Sequence, residues 1–257
     1  MRSSAWSAGV HRLQEAQWLP FASESFVSSA YQPVNVGILL FDGVTQLDLT
    51  GPYEVFSRMP NTHVHLIAVS LAPVRTEWGL RILPDTTLED APQLDLICVP
   101  GGWGVDDCLE DERMLGFLRA RAADAEYVTS VCSGALLLGA AGLLRGYRAT
   151  THWMVRDLLA SFGAEPVHDR VVRDRNRITG GGVTAGIDFA LLVASELFGV
   201  SVAQSIQLAI EYHPDPPFDS GSPQHAPADI VRTLIDRSAS KLARRRAIVA
   251  RASARIQ

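Results

Sequence analysis

Positive charge is not in surplus in this chain. Its 23 Lys and Arg face 28 Asp and Glu, a formal net charge of -5, which excludes general attraction to nucleic acid. Cysteine is scarce, three in 257 residues. An odd number without metal-ligand spacing excludes a disulfide framework and a structural zinc, and it fits a reducing cytoplasm. No apolar run reaches the roughly 18 residues that a membrane span needs. Residues 1–33 lack the charged-then-apolar layout of a secretory leader. Rich in Ser and Ala and closed by Gln32-Pro33, they read as a poorly ordered extension, native or appended. No internal repeat is present. What remains is 47% hydrophobic, ample for the core of one large domain or two small ones.

From Asn35 the pattern alternates between strand and helix. Strands are predicted over 35–41, 63–70, 80–83, 94–99, 127–131, 149–151, 167–173 and 177–179. Helices are predicted over 47–58, 109–123, 133–144, 154–162, 184–198 and 202–211, with Pro52 tolerated in the first turn of the first. A Pro-rich tract, Pro214-Asp215-Pro216-Pro217-Phe218, precedes a last helix over 228–254. Its Arg244-Arg245-Arg246 run reads as a solvated face. Alternating βα units with continuously apolar strands imply a parallel sheet covered on both faces, with ligands at the carboxyl ends of the strands. A catalytic domain is therefore expected over 34–226, and 227–257 as a helix packed on that domain or on a dimer.

Cys132 marks the point of greatest chemical interest. It ends the apolar run Tyr127-Val128-Thr129-Ser130-Val131 and opens Ser133-Gly134-Ala135-Leu136. A residue at such a junction occupies a sharp strand-to-helix turn, where the helix start favours thiolate over thiol. The other reading of a lone cysteine is an inert core residue. Cys98, inside a predicted central strand, is taken as core, and Cys108, after Asp106-Asp107, as incidental.

Other polar features also fall at predicted strand ends. Asp48 opens the first helix, where a carboxylate is favoured by the dipole alone. Gly101-Gly102 is either a tight turn or a source of backbone N–H groups for a developing negative charge. His152 follows Ala149-Thr150-Thr151 and reads as a base, a partner of the thiolate or a packed polar residue. Gly180-Gly181-Gly182 lacks a Walker lysine and the dinucleotide spacing, so it is read as a turn.

Val131-Cys132-Ser133-Gly134-Ala135, with Pro100-Gly101-Gly102 upstream and Thr150-Thr151-His152 downstream, resembles the ThiJ/PfpI superfamily, which is similar in fold to class I glutamine amidotransferases. Further segments resemble its isocyanide (isonitrile) hydratase branch. They are Gln46-Leu47-Asp48-Leu49-Thr50-Gly51-Pro52, Ala149-Thr150-Thr151-His152-Trp153, Thr184-Ala185-Gly186-Ile187-Asp188 and Pro216-Pro217-Phe218 with Gly221-Ser222-Pro223. The similarity runs from about Val34 to the C-terminus.

The resemblance implies a flavodoxin-like three-layer α/β sandwich with a mostly parallel sheet and a nucleophile elbow, a homodimer, and no cofactor or metal. It assigns Cys132 as nucleophile and Asp48 as its acidic partner, with Ser133, Gly101, Gly102, Trp103 and His152 supporting substrate or oxyanion. Ser133 stands where these hydratases more usually carry Thr, and Trp103 where a smaller residue is expected, which bears on pocket size. The implied chemistry is attack of the thiolate on the terminal isocyanide carbon, a covalent thioimidate, then water addition and release of an N-substituted formamide. Asp48 would carry the protons, its pKa raised by desolvation.

Other outcomes stay open. A glyoxalase- or deglycase-like enzyme would more usually have Glu as the acidic partner, and a peptidase-like one has His directly after the Cys. A ligand-sensing domain related to transcription regulators would continue into helix-turn-helix motifs, for which the stretch after Gly221-Ser222-Pro223 is short. The expected partner is a small molecule, not nucleic acid or membrane.

Overall fold

A computed structural model describes residues 31–256, so most of the expected extension over 1–33 lies outside the described residues. Tyr31, at its edge, packs edge-on against Phe198 with ring centroids 5.2 Å apart. In chain order β1 (Val34–Leu39) leads to α1 (Gln46–Phe56) and β2 (Thr62–Ala68). The short pair β3 (Val74–Arg75) and β4 (Arg81–Ile82) follows, then β5 (Thr86–Thr87) and β6 (Leu96–Val99). Next come α2 (Val105–Cys108), α3 (Glu112–Ala122), β7 (Tyr127–Val131) and α4 (Gly134–Ala140). After β8 (Arg148–Ala149), a 3-10 helix (Trp153–Phe162) and β9 (Glu165–Pro166), the hairpin β10 (Val171–Asp174) and β11 (Arg177–Gly180) completes the strands. The helices α5 (Ala185–Phe198), α6 (Val200–Ala209) and α7 (Ala228–Ala254) close the chain.

The main sheet has seven strands in the order β10-β11-β7-β6-β1-β2-β5, and only the β10–β11 pairing is antiparallel. Its central strands β6 and β7 are buried along their whole length, which is why they read as continuous apolar runs rather than alternating ones. Helix α5 contacts both α1 and α6, and α4 contacts α2, α3, the 3-10 helix and α7. The result is a three-layer α/β sandwich of the flavodoxin-like kind. Phe56 of α1 meets Phe189 of α5 edge-on at 6.1 Å, tying one layer together. Among the described residues no helix is long and apolar enough to cross a membrane.

Several predicted boundaries move for identifiable reasons. The helix expected over 109–123 starts only at Glu112, and a separate short helix, α2, ends at Cys108 before the predicted start. Asp111 caps α3 by accepting the Arg113 N–H at 2.9 Å and so sets its start. Because α1 starts at Gln46, Pro52 is its seventh residue and lies beyond the first turn. It has no N–H to offer the Asp48 carbonyl one turn earlier. The helix expected over 133–144 closes at Ala140, two residues before Gly142 in a left-handed conformation (φ 78°). The strand expected at 149–151 pairs with β9 in a small separate sheet. Strand β7 and helix α7 match their predicted bounds.

Candidate active site

The site forms where the carboxyl ends of β1, β6, β7 and β11 meet. Parallel register sets Val99 beside Ser130, so the turn after β6 and the turn after β7 emerge side by side. Val44, in the turn after β1, bridges Gly102 in the turn after β6, and the Thr45 N–H donates to the Gly101 carbonyl at 3.0 Å. This strap brings the first turn of α1, and with it Asp48, against Gly101.

Cys132 occupies a strained elbow with φ 54°, a left-handed backbone that a non-glycine residue adopts only when its surroundings enforce it. The enforcement is visible. The Cys132 N–H donates to the Gly180 carbonyl at 3.1 Å, and the Thr151 hydroxyl donates to the Cys132 carbonyl at 2.5 Å. Gly134, two residues on, leaves room for the turn itself, since a Cβ there would lie 2.1 Å from the Val99 carbonyl oxygen. At Gly101 a Cβ would meet the Ser133 nitrogen at 2.5 Å and Asp48 Oδ2 at 2.9 Å. Any side chain at either position would push the elbow away from the carboxylate.

Asp48 is fully buried, and Cys132 is 7% exposed. Gly101 N–H donates to Asp48 Oδ2 at 2.9 Å, while Oδ1 has no N–H or O–H donor among the described residues. Burial raises the Asp48 pKa to about 7, against the pull of the Gly101 N–H and of hydrogen bonding with the Cys132 thiol; the charge on Glu77 adds to the rise. The thiol of Cys132 is also pushed well above the usual range, by burial first and then by the Asp48 charge. The Ser133 N–H and Arg245 pull it the other way, and they lose. This corrects the expectation of a ready thiolate: the helix start is present, but desolvation and a neighbouring carboxylate outweigh it. Cys98 and Cys108 are buried, with pKa values raised to about 12 by desolvation, as befits core thiols.

The turn after β6 holds a second correction. Gly101 N–H is taken by Asp48, Gly102 N–H by Ser133 Oγ at 3.0 Å, and Trp103 N–H by Glu77 Oε1 at 2.7 Å. None of the three is left to receive a developing negative charge, so Gly101 and Gly102 act by holding Asp48 and Ser133 in place. Ser133 Oγ also donates to the Gly102 carbonyl at 3.1 Å.

A cavity of about 210 Å³ opens onto the sulfur. Its wall includes Thr45, Glu77, Trp78, Trp103, Cys132, Ser133, His152, Val155, Leu242 and Arg245. His152 caps the 3-10 helix, its Nδ1 accepting the Met154 N–H at 3.4 Å. Burial first, then the charges of Arg245 and Arg156, lower its pKa to about 4. A neutral imidazole with Nδ1 engaged carries its proton on Nε2, so His152 serves the cavity as a donor and not as a base.

The structure thus brings Cys132, Asp48, Ser133, Gly101, Gly102, Trp103 and His152 to one place. Sequence reasoning missed Glu77, whose Oε2 also accepts the Thr45 hydroxyl at 2.7 Å, and Trp78, which edges the cavity although 92% exposed. It missed Thr151 in its bond to the elbow. Above all it missed Arg245, one of the three arginines read as a solvated face. Its neighbours Arg244 and Arg246 do lie at the surface, paired with Asp107 and Asp157, but Arg245 is 4% exposed and paired with Asp106. Among the described residues no group of three or more His, Cys, Asp or Glu side chains is placed to hold a metal ion.

Comparison with known proteins bears on the family and the fold. The profile of the DJ-1/PfpI family matches residues 34–196. Over 223 residues the chain is 57% identical to the isonitrile hydratase of Pseudomonas putida, covering 87% of this chain and 98% of that protein. The crystal structure of a ThiJ/PfpI family protein from Pseudomonas syringae superposes with a TM-score of 0.84 at 42% identity, covering 91% of this chain and 98% of that one. A transcriptional regulator of the helix-turn-helix type, GbdR of Pseudomonas aeruginosa, is 31% identical over 183 residues, which cover 68% of this chain and 49% of the regulator.

Proposed function

The chain belongs to the DJ-1/PfpI family, and we propose that within it the protein is an isonitrile hydratase, an enzyme that adds water to an isonitrile to give an N-substituted formamide. The observation that carries the chemistry is the buried pair of Cys132 and Asp48 at the foot of a small cavity.

An isonitrile carbon is both electrophile and proton acceptor. The Cys132 sulfur bonds to that carbon, and the thiol proton reaches the same carbon by way of Asp48. The product of this step is a thioformimidate on Cys132. Water then adds its hydroxyl to the carbon, and its other proton passes by way of Asp48 to the nitrogen, leaving a tetrahedral adduct on Cys132. As the carbonyl forms, the C–S bond breaks, the formamide leaves and the sulfur recovers its proton. Each step needs a carboxyl group that can be found in either protonation state, and a pKa of about 7 supplies that at neutral pH. Covalent attachment divides one difficult addition into two easier ones. A thiol kept neutral at rest is also spared from side reactions, since thiolate is the reactive form.

The scheme uses no cofactor. With it go a small-molecule substrate, a homodimer and a cytoplasmic setting, the last in keeping with three unpaired thiols. Incubation of the purified, reduced protein with cyclohexyl isocyanide tests the activity, and N-cyclohexylformamide is the expected product. Two outcomes speak for other readings. Binding without turnover favours a sensor, and conversion of methylglyoxal to lactate favours a glyoxalase.

A further inference from the structure

Helix α7 lies beyond the residues that the family profile matches, yet two of its side chains, Leu242 and Arg245, line the cavity, and of these Arg245 carries a charge. Arg245 Nε donates to Asp106 Oδ1 and Nη2 donates to the Gly102 carbonyl at 2.8 Å. Its guanidinium carbon lies 4.7 Å from the centre of the Trp103 ring, and Lys241, one turn earlier on α7, places Nζ 4.8 Å from the same ring. The Gly102 carbonyl that Arg245 engages also accepts the Ser133 hydroxyl, and Gly102 N–H returns to Ser133 Oγ. A chain of hydrogen bonds therefore runs from α7 to the residue beside the nucleophile.

We propose that Arg245 is a positioning residue of this site: its planar fork fixes the Gly102–Trp103 turn, and its fixed charge stands beside the cavity that holds the Cys132 sulfur. Two observations argue against a purely structural role. A buried ion pair is a poor stabiliser compared with an apolar pair of the same volume, so stability alone does not account for one here. The charge also stands next to a pair that shares one negative charge, on Asp48 before the thiol proton moves to it and on sulfur afterwards. The charged and titratable groups about the sulfur are Asp48 on α1, Glu77 in the turn before β4, His152 ahead of the 3-10 helix, and Arg245 on α7 with its partner Asp106 on α2. Among the described residues about the cavity Arg245 is the buried cation, and Lys241, over the Trp103 ring, is exposed.

The kinetic part of this proposal rests on the hydratase reading, whereas the reactivity of the thiol does not. The test therefore measures iodoacetamide alkylation of Cys132 by mass spectrometry as a function of pH, beside turnover of cyclohexyl isocyanide. In Arg245→Gln the alkylation midpoint should rise by about one pH unit, a roughly tenfold loss of rate at neutral pH. Its kcat should fall about tenfold or more, with KM changed less than about threefold. Arg245→Lys should restore the alkylation profile but not kcat, because a single ammonium cannot bridge Asp106 and the Gly102 carbonyl as the fork does.

The double variant Arg245→Met with Asp106→Leu replaces the pair by apolar side chains, and it decides the matter if Arg245→Gln fails to fold. It should fold while keeping the raised alkylation midpoint and the low kcat. Wild-type alkylation and kcat in Arg245→Gln, or in the double variant, overturn the proposal. If the wild type hydrates no isonitrile, the alkylation profiles still read the role of Arg245 independently.

Discussion

Asp48 faces Cys132 at the buried foot of the cavity, and both side chains hold their protons more tightly than they would in solution. Asp48 raises the thiol, whereas hydrogen bonding with the thiol lowers Asp48, so the two do not act on each other alike. The proton balance of this pair, more than the identity of the nucleophile alone, sets what the site can do.

Cys132→Ala should abolish turnover and leave the fold intact, since the elbow is held by backbone and Thr151 contacts that do not involve the sulfur. Circular dichroism and the unfolding midpoint check the fold. In the wild type, Cys132 should alkylate before Cys98 and Cys108 because it lines the cavity, and its rate should climb steeply with pH because its pKa is raised.

Asp48→Asn should cut kcat about 100-fold or more, the usual cost of losing a general acid–base group. The same change removes the charge that raises the thiol, so Cys132 should alkylate faster than in the wild type at neutral pH. Slower turnover with faster alkylation separates proton transfer from nucleophile reactivity. A variant that is slower in both has lost geometry instead.

The dependence of stability on pH has two opposed parts. Asp48 has a folded pKa of about 7 against 3.8 unfolded, so the folded state binds the extra proton between these values. Its contribution falls as pH rises through that window. His152 has a folded pKa of about 4 against 6.5, so the unfolded state binds the extra proton, and its contribution rises with pH. In the wild type the two largely offset between pH 4 and 6.5. Urea unfolding of Asp48→Asn should show stability rising by about 3 kcal/mol across that range, on the order of two to three pKa units. His152→Asn should show the reverse slope.

Ser133→Ala leaves the buried Gly102 N–H without a partner, which costs about 1–3 kcal/mol. Thermal unfolding should register the loss, and kcat should fall with it because the Gly102 turn borders the sulfur.

Trp103 forms a wall of the cavity and is clamped by Lys241 and Arg245. Trp103→Gly or Trp103→Thr should raise kcat/KM for bulky isonitriles relative to small ones by roughly tenfold, the scale of a few methylene-sized contacts. An unchanged ratio means that the indole does not limit substrate size.

The sequence made the frame of this molecule legible where signals were local. Strand β7, buried on both faces, and α7, with no Pro or Gly within it, were read correctly from end to end. Cys132 and Asp48 each fall at a predicted strand end, but it was the resemblance to the ThiJ/PfpI superfamily that paired them. What escaped notice depends on partners far along the chain. Arg245 sits in a run of three arginines, and nothing local distinguishes the one that turns inward to meet Asp106, 139 residues away. Gly101 and Gly102 could be read as a tight turn or as free donors because their acceptors, Asp48 and Ser133, arrive from other elements. The thiol seemed poised for ionisation because a helix start is visible in sequence and desolvation is not.

The covalent intermediate on Cys132 is the central claim, and mass spectrometry of the slowed Asp48→Asn variant tests it most directly. After brief exposure to cyclohexyl isocyanide and an acid quench, the peptide containing Cys132 should gain the mass of one intact isocyanide, since addition of a thiol to this carbon expels nothing. N-cyclohexylformamide should accumulate as that adduct decays. Formamide formed at the same rate by Cys132→Ala, with no adduct in the Asp48→Asn variant, would contradict the account.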